Sequence, residues 1–215
     1  IKFSPILVSL GLMAAGAPQA ATVETTDYIA VPAHYAGFES LPDTYGYADT
    51  HLEDGIQITQ VNGDLNGIWT TYLTPTNPYG SPILFQGQRS WYPTGGDSGY
   101  TRLTLVDGGE FGNIGFMVGS GFSGSTGLSF HFELYKAGSL VQSGAVAGDW
   151  TPHWLGFSGG GFDEVRMDNP ISSTQALAID AIKVSAVPEP GAYALFGMGL
   201  AGIAVGVRRR HRRQG

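Results

Sequence analysis

Turn-forming residues divide residues 22–186 into short segments, and this division limits the folds that the chain can adopt. Clusters of Gly, Ser, Thr, Asn and Asp recur about every ten residues, and the segments between them carry β-branched and aromatic side chains. Segments of this length suit strands better than helices, and no helical period persists between the clusters. The pattern predicts an all-β domain.

The sequence predicts ten strands, at residues 55–61, 67–73, 82–86, 100–106, 113–118, 128–136, 140–145, 153–157, 164–167 and 175–184. Residues 128–134 alternate apolar and polar side chains, as a strand with one buried face does. The Ala-Gly-Ser sequence at 137–139 then predicts a hairpin turn. Ten short strands in one domain favour two packed sheets, so we expect a jelly-roll-like β-sandwich.

The first 21 residues have the three parts of a secretory signal peptide. Lys2 supplies a positive charge, residues 6–15 form a short apolar core, and small residues dominate 17–21. We expect cleavage after Ala20 or Ala21 and exclude residues 1–21 from the fold. Residues 22–186 are long enough for one domain with its own core.

The charge of residues 22–186 excludes one class of partner. This region contains five basic and seventeen acidic side chains, a formal charge near −12. Such a field repels nucleic acid, so nucleic-acid binding is excluded, whereas calcium and neutral ligands are compatible with it. The chain has no cysteine, which excludes disulfides and zinc sites of the Cys type.

The C-terminal residues 187–215 combine a short motif, one apolar segment and a basic cluster. The motif consists of Val187, Pro188, Glu189 and Pro190. Residues 191–207 then carry no charge, and five arginines follow within 208–213. As a helix the apolar segment would extend about 25 Å, enough for a thin bilayer core, and the arginines favour a cytoplasmic C-terminus. We therefore expect one transmembrane helix at 191–207.

This order of motif, span and arginines resembles the PEP-CTERM sorting signal of Gram-negative envelope proteins. The resemblance implies that an exosortase recognises the chain near residues 188–190. It also implies an intermediate anchored in the inner membrane, and later delivery to the cell surface or extracellular matrix in bacteria that make exopolysaccharide. In that case the tail is a substrate of the exosortase, and its residues have no catalytic role.

Two serine motifs resemble catalytic sites, but neither has the context that catalysis needs. Ser158 lies in a Gly-x-Ser-x-Gly sequence, yet glycines and another predicted strand follow it where a nucleophile elbow requires a helix. Ser98 lies in Gly-Asp-Ser-Gly, but its spacing from His51 is too short for a two-barrel protease. Asp163 and Glu164 are interpreted as solvated loop acids, since a glycosidase pair must face across a cleft. We therefore predict no catalytic residue.

Two acids near the ends of the domain suggest a metal site. Residues 38–40 read Phe-Glu-Ser and residues 179–182 read Ile-Asp-Ala-Ile. These segments resemble the ends of carbohydrate-binding jelly rolls and related galactose-binding-like domains. In that family the two acids meet where the first and last strands pair and often hold structural calcium, which implies Glu39 and Asp180 as calcium ligands. Further oxygens would have to come from backbone carbonyls and another acid. The alternative is that both are edge or loop acids.

Aromatic residues near predicted strand ends form a second candidate site. Sugar rings present apolar C–H faces that stack on flat aromatic side chains. Trp91, Tyr92 and Trp150 are the candidates, and we expect the ring of Trp91 to be exposed. Trp154 lies in an alternating segment and is expected in the core.

The sequence thus predicts a non-catalytic exported protein of the cell surface or extracellular matrix that binds polysaccharide. One alternative is a structural or adhesive envelope protein with protein partners. A glycan-cleaving enzyme is a more remote alternative, because the sequence does not show how far apart the carboxylates lie.

Overall fold

The computed structural model describes residues 20–40, 50–61, 68–72, 86–87, 89–93, 99–120, 126–149, 151–168 and 177–186. This part of the chain contains strands and no helix. The strands are β1 (Thr22–Glu24), β2 (His34–Ala36), β3 (Thr50–Glu53), β4 (Ile56–Val61), β5 (Ile68–Tyr72), β6 (Arg89–Pro93), β7 (Tyr100–Leu105), β8 (Phe111–Ser120), β9 (Leu128–Lys136), β10 (Ser139–Gly148), β11 (His153–Phe162), β12 (Glu164–Asp168) and β13 (Leu177–Ala186).

The strands form two antiparallel sheets. One has seven strands in the order β1-β11-β8-β13-β6-β5, with β2 also paired to β13, and the other has six in the order β10-β9-β12-β7-β4-β3. From β7 onward the chain passes repeatedly between the sheets, because β8, β11 and β13 lie in the first and β7, β9, β10 and β12 in the second. This confirms the predicted all-β, jelly-roll-like sandwich.

The core lies between the two sheets and is built from the inward side chains of both. The six-stranded sheet contributes residues such as Ile58, Leu103 and Leu134, and the seven-stranded sheet residues such as Ile114 and Phe116; each of these is at most 1% exposed. Because burying such a side chain stabilises a fold by roughly 1.5–3 kcal/mol, this layer accounts for most of the stability of a domain without disulfides.

The predicted strand at 128–136 is confirmed at both ends as β9. Strands were also predicted at the positions of β4, β5, β7, β8 and β10 to β13, and these are confirmed with shifted ends. Four short strands, β1, β2, β3 and β6, were not predicted. The prediction at 82–86 lies, apart from its last residue, outside the described residues.

The predicted signal peptide and sorting tail also fall largely outside the described residues, which begin at 20 and end at 186. Within the described ranges, no helix is long and apolar enough to cross a membrane.

The segment that follows β1 crosses the outer face of the seven-stranded sheet. The Tyr28 hydroxyl lies 2.9 Å from the carbonyl oxygen of Phe157 and 3.1 Å from that of Ile114, and can donate to either. Asp27 forms an ion pair with Lys183 on β13. Burial is the main reason that the pKa of Tyr28 is raised, so the hydroxyl stays protonated and remains a donor. This segment therefore covers part of that face.

Trp154 lies on the same outer face, half-buried against Gly115 rather than in the core as expected. On β11 the neighbouring Leu155 points inward and is 2% exposed, so Trp154 points outward. A Cβ atom at Gly115 would lie 2.3 Å from the Trp154 ring. The amine of Lys183 lies 5.3 Å from the ring centroid on the sheet. Gly115 therefore provides the space that the indole occupies.

We expect Gly115→Ala to destabilise the fold by about 1–3 kcal/mol, because the added methyl group overlaps the Trp154 ring. The measurement is urea unfolding followed by circular dichroism. In a Trp154→Ala background the same substitution should cost much less, since the obstructing ring is gone. An equal cost in both backgrounds would show that the contact with Trp154 is not the cause.

Candidate functional site

The outer face of the six-stranded sheet carries a continuous set of polar and aromatic side chains. It arises because β7, β9 and β12 alternate: their inward positions are buried and their outward positions are not. We call this set the polar sheet face. It consists of Gln57, Thr59, Tyr100, Arg102, Thr104, His131, Glu133, Tyr135, Glu164, Arg166 and Asp168.

Arg166 lies at the centre of the polar sheet face, between two tyrosine rings. Its guanidinium carbon is 3.7 Å from the ring centroid of Tyr135 and 4.8 Å from that of Tyr100. Its Nε donates to the Glu164 carboxylate. Partial burial lowers the pKa of Arg166, but the hydrogen bond and charge of Glu164 outweigh this and raise it. The arginine is thus held in its charged form between two aromatic side chains.

Two further contacts hold the side chains around Arg166 in place. The Tyr135 hydroxyl donates to Glu133 at 2.8 Å, and this bond is the main reason that the pKa of Tyr135 is raised. His131 Nδ1 lies 3.7 Å from a carboxylate oxygen of Asp168, and burial raises the pKa of Asp168. Planar side chains surrounded by hydrogen-bonding groups suit sugar rings, which have apolar faces and hydroxyl edges.

Among the aromatic candidates, Trp91 does not have the expected exposed ring. It is 0% exposed, and β6 pairs at this position with Ile179 of β13, so the ring points into the core. It packs against Phe38 with ring centroids 6.3 Å apart. The prediction of an exposed Trp91 was wrong because Trp91 lies on the face of β6 that packs into the core between the two sheets. Tyr92 is in β6, but its side chain is not described, and Trp150 lies outside the described residues.

Glu39 and Asp180, the predicted calcium ligands, are near enough for the charge of Glu39 to raise the pKa of Asp180. Along one edge, β13 pairs with β6 at Ile179 and with β2 at residues 182–184. Asp180 lies between these pairings, where the register of β13 shifts. Glu39 bridges the same gap by accepting a hydrogen bond from the backbone N–H of Arg89 at 3.0 Å. We call Glu39, Glu53 and Asp180 the acidic corner.

The backbone is strained at two positions beside these acids. Phe38 (φ 59°) precedes Glu39, and Ala181 (φ 49°) follows Asp180. A non-glycine residue in the left-handed region costs roughly 1–3 kcal/mol and persists only where its surroundings require it. At Ala181 the conformation lets its N–H donate to Asp180 Oδ1 at 2.6 Å. The strain therefore helps to hold the carboxylate inside the sheet.

Asp180 is buried with one oxygen unsatisfied. It is 0% exposed, and its Oδ2 has no hydrogen-bond partner. Burial, together with the nearby charges of Glu39 and Glu53, raises the pKa of Asp180 to about 8, although hydrogen bonding to the backbone of Ala181 and Gln86 acts in the opposite direction. Glu53 accepts hydrogen bonds from the Phe38 N–H at 3.0 Å and from His51 Nε2 at 3.1 Å. Asp180 Oδ2 thus faces an excess of negative charge.

The acidic corner offers part of the ligand set that calcium needs. Calcium takes six to eight oxygens, and Asp180 Oδ2 is a buried oxygen available for one. Within the described ranges, however, no three His, Asp or Glu side chains are arranged to hold a metal ion. A cation here would need backbone carbonyls or water as additional ligands.

The serine and acid motifs have structural contacts where they are described. Ser158 lies within β11, not at a strand–helix turn, and its hydroxyl donates to Glu24 at 2.8 Å. Asp163 accepts from the Ala137 N–H at 2.9 Å, which ties the β9–β10 hairpin to the turn before β12. Ser98 lies outside the described residues.

Sequence reasoning did not select Tyr100, Tyr135 or Arg166. Tyr135 was visible as an outward position in an alternating strand. Tyr135 and Tyr100 both lie against Arg166 only because β12 is placed between β9 and β7. Strand order cannot be read from alternation.

The chain is thus a two-sheet β-sandwich followed by a C-terminal tail. In that tail, residues 186–210 match the PEP-CTERM protein-sorting motif. The motif implies recognition by an exosortase, with export and sorting to the cell envelope. Val187 to Pro190, predicted as the recognition element, lie inside the matched range. No curated protein matches the chain.

Two solved structures are similar to the chain. The CBM22-1 xylan-binding domain from Paenibacillus barcinonensis Xyn10C is 17% identical over 74% of this chain and 100% of its own, with a TM-score of 0.38. The enzymatically active domain of tailspike protein 4 from bacteriophage CBA120 is 12% identical over 62% of this chain and 19% of its own, with a TM-score of 0.36. Both TM-scores are low, and the fold described above rests on the strand order of this chain.

We expect the metal-free protein to lose stability as the pH rises from about 4 to about 8. With a pKa near 8 in the folded state and about 3.9 when unfolded, Asp180 binds a proton in this window that the unfolded chain has released. Ionisation of Asp180 therefore opposes folding, by at most about 1.4 kcal/mol per pH unit. The measurement is urea unfolding in chelator at several pH values.

The matched variant for this test is Asp180→Asn, which has the same shape and cannot ionise. Its free energy of unfolding should therefore fall less steeply with pH than that of the wild type. Glu110→Gln, at an exposed position away from the acidic corner, is the control and should keep the wild-type slope. A slope unchanged in Asp180→Asn would contradict the assignment.

Proposed function

We propose that the protein is a non-catalytic, exported polysaccharide-binding protein whose ligand lies across the polar sheet face. The observation that carries this proposal is the position of the Arg166 guanidinium against the rings of Tyr135 and Tyr100 on the outside of the six-stranded sheet. Stacked planar groups give apolar contact to sugar rings, while Glu133 and Glu164 offer acceptors for their hydroxyl groups.

The other outer face supports this choice of surface. Tyr28 and Trp154 already lie on the seven-stranded sheet, where Tyr28 bonds two backbone carbonyls and Trp154 packs on Gly115. Among the described residues, no comparable segment crosses the six-stranded sheet. The polar sheet face is therefore the better candidate for a long, flexible ligand.

The proposed place of action is the cell surface or extracellular matrix of a Gram-negative bacterium. Export and exosortase recognition follow from the sorting motif at 186–210. We propose that residues 191–207 anchor an intermediate in the inner membrane and that processing near 188–190 then delivers the domain outward. The cell's own exopolysaccharide is the ligand that such a location provides.

We propose binding without cleavage because the acids considered for hydrolysis are otherwise engaged. Asp163 accepts from a backbone N–H and pairs with Lys136 at 3.4 Å, and Glu164 pairs with Arg166. A general acid or base needs a carboxyl that can exchange a proton with the substrate. These contacts instead suit structural and positioning roles.

We further propose that calcium binds at the acidic corner, with Asp180 and Glu39 as ligands. The unsatisfied Asp180 Oδ2 supports this, because a cation would neutralise a buried charge that otherwise has to be protonated. The ion would act structurally, by holding β2 and β6 against β13. It would have no part in contacting the polysaccharide, because Asp180 lies in β13 of the seven-stranded sheet, whereas the polar sheet face is the outer face of the six-stranded sheet.

Loss of either tyrosine ring should weaken polysaccharide binding about tenfold, equivalent to ~1.4 kcal/mol, since each ring supplies a stacking surface. The exported chain, purified in mild detergent, is screened on a polysaccharide array, and the best ligand is titrated against wild type, Tyr135→Ala and Tyr100→Ala. Val31→Ala, at an exposed position in the segment after β1, is the control.

A blank array would contradict polysaccharide binding and favour a structural or adhesive envelope protein with protein partners. Release of reducing ends during incubation, abolished in Asp163→Asn or Glu164→Gln, would instead identify a glycan-cleaving enzyme.

Millimolar calcium should raise the melting temperature of the protein relative to chelator. At a concentration about 100-fold above Kd the folded state gains ~2.7 kcal/mol. Asp180→Asn and Glu39→Gln should both remove the calcium effect, while Glu110→Gln should retain it. A wild-type melting temperature that does not respond to calcium would exclude the metal site.

A further inference from the structure

One row of the polar sheet face places two arginines side by side. The strand register aligns Arg166 of β12 with Arg102 of β7, and aligns Glu133 and Thr59 on either side of this pair. Like charges directly opposite each other in a sheet repel and destabilise the pairing. A domain with seventeen acidic side chains and five basic ones has nonetheless placed two of its basic residues together here.

The two arginines differ in how their charges are balanced. Arg166 is paired with Glu164 and lies between two tyrosine rings. The Arg102 Nε is buried and has no hydrogen-bond partner. Within the described ranges, no ion pair joins Arg102 to a carboxylate. Of the two, Arg102 therefore has unused hydrogen-bonding capacity and uncompensated charge.

An unused guanidinium group on an otherwise paired surface indicates what it would bind. Arginine presents its N–H donors in a rigid planar fork, and this fork matches the two oxygens of a carboxylate. The Nε itself is buried, so an incoming carboxylate would meet the remaining guanidinium nitrogens of this half-buried, outward side chain. Tyr100 is two residues from Arg102 and on the same outer face, so a sugar ring beside its aromatic ring would hold a ring substituent near Arg102.

We propose that Arg102 binds the carboxylate of a uronic acid unit and that the ligand of the polar sheet face is an acidic polysaccharide. This inference rests on the proposed function, since it assigns the chemical class of the same ligand. The net negative charge of the domain repels a polyanion at long range. Recognition therefore depends on this short-range contact, with Thr59, whose backbone faces Arg102 on β4, on its other side.

The test compares polymers that differ only in the carboxyl group. Hyaluronate, xanthan and glucuronoxylan are each paired with their carboxyl-reduced form, and binding of the detergent-purified exported chain is titrated at 150 mM salt, about physiological ionic strength. We expect at least one acidic polymer to bind about tenfold or more tightly than its reduced partner. Arg102→Gln should abolish this preference, whereas Arg102→Lys should retain part of it.

Circular dichroism of Arg102→Gln establishes that the fold is intact, and Val31→Ala serves as the control that keeps the preference. Equal binding of acidic and reduced polymers, or a preference that survives Arg102→Gln, would overturn the assignment of Arg102 while polysaccharide binding itself stands. Tighter binding of dextran sulfate than of every carboxylate polymer would overturn the assignment of the carboxylate. Binding to none of the polymers, neutral or acidic, would overturn the proposed function as well.

Discussion

The pairing of the last strand, β13, is the interaction on which the rest of the structure depends. Along one edge β13 pairs with β8 from Leu177 to Ala186, and along the other it pairs with β6 and β2. In the order of the seven-stranded sheet, β13 joins β2, β6 and β5 on one side to β8, β11 and β1 on the other. These contacts are far apart in sequence, so the seven-stranded sheet is completed late, once the whole domain is available. The acidic corner forms at the same junction, because Asp180 lies where the partner of β13 changes from β6 to β2. Stability of the sheet and the state of this carboxylate are therefore coupled.

The two candidate sites differ in how their charges are balanced. At the acidic corner, burial and like charges make an ionised Asp180 unfavourable, and the left-handed backbone at Phe38 and Ala181 adds strain. Such a cost is offset when a proton or a cation is bound. On the polar sheet face, by contrast, Arg166 is paired with Glu164 on β12 and Glu133 accepts a hydrogen bond from Tyr135 on β9. That surface keeps its shape without a ligand, as a preorganised binding surface does.

The strands that could be predicted from the sequence are those with a clear local pattern of alternating side chains and turn residues. The strand at 128–136 was predicted with both ends correct because its alternation is regular and a Gly-containing turn follows it. β1 and β2 are three residues long, too short to show a period, and their positions come from pairing with β11 and β13. The predicted exposure of Trp91 was wrong for a related reason. Which face of β6 points inward depends on how the two sheets pack, and the local sequence does not show this. Glu39 and Asp180 were selected from the resemblance of their two short segments, whereas the cluster around Arg166 requires knowledge of strand order.

The same strand order determines how the domain is presented while it is attached to other segments. Thr22, Ser158, Asn113 and Ser185 form one row across β1, β11, β8 and β13. Three spacings between neighbouring strands place the start of β1 and the end of β13 roughly 14 Å apart. Because all these pairs are antiparallel, the chain enters and leaves at the same end of the sandwich. In the proposed membrane-anchored intermediate this end faces the bilayer. The polar sheet face runs along the side of the strands, so the proposed polysaccharide ligand would have access to it both before and after the proposed processing of the tail.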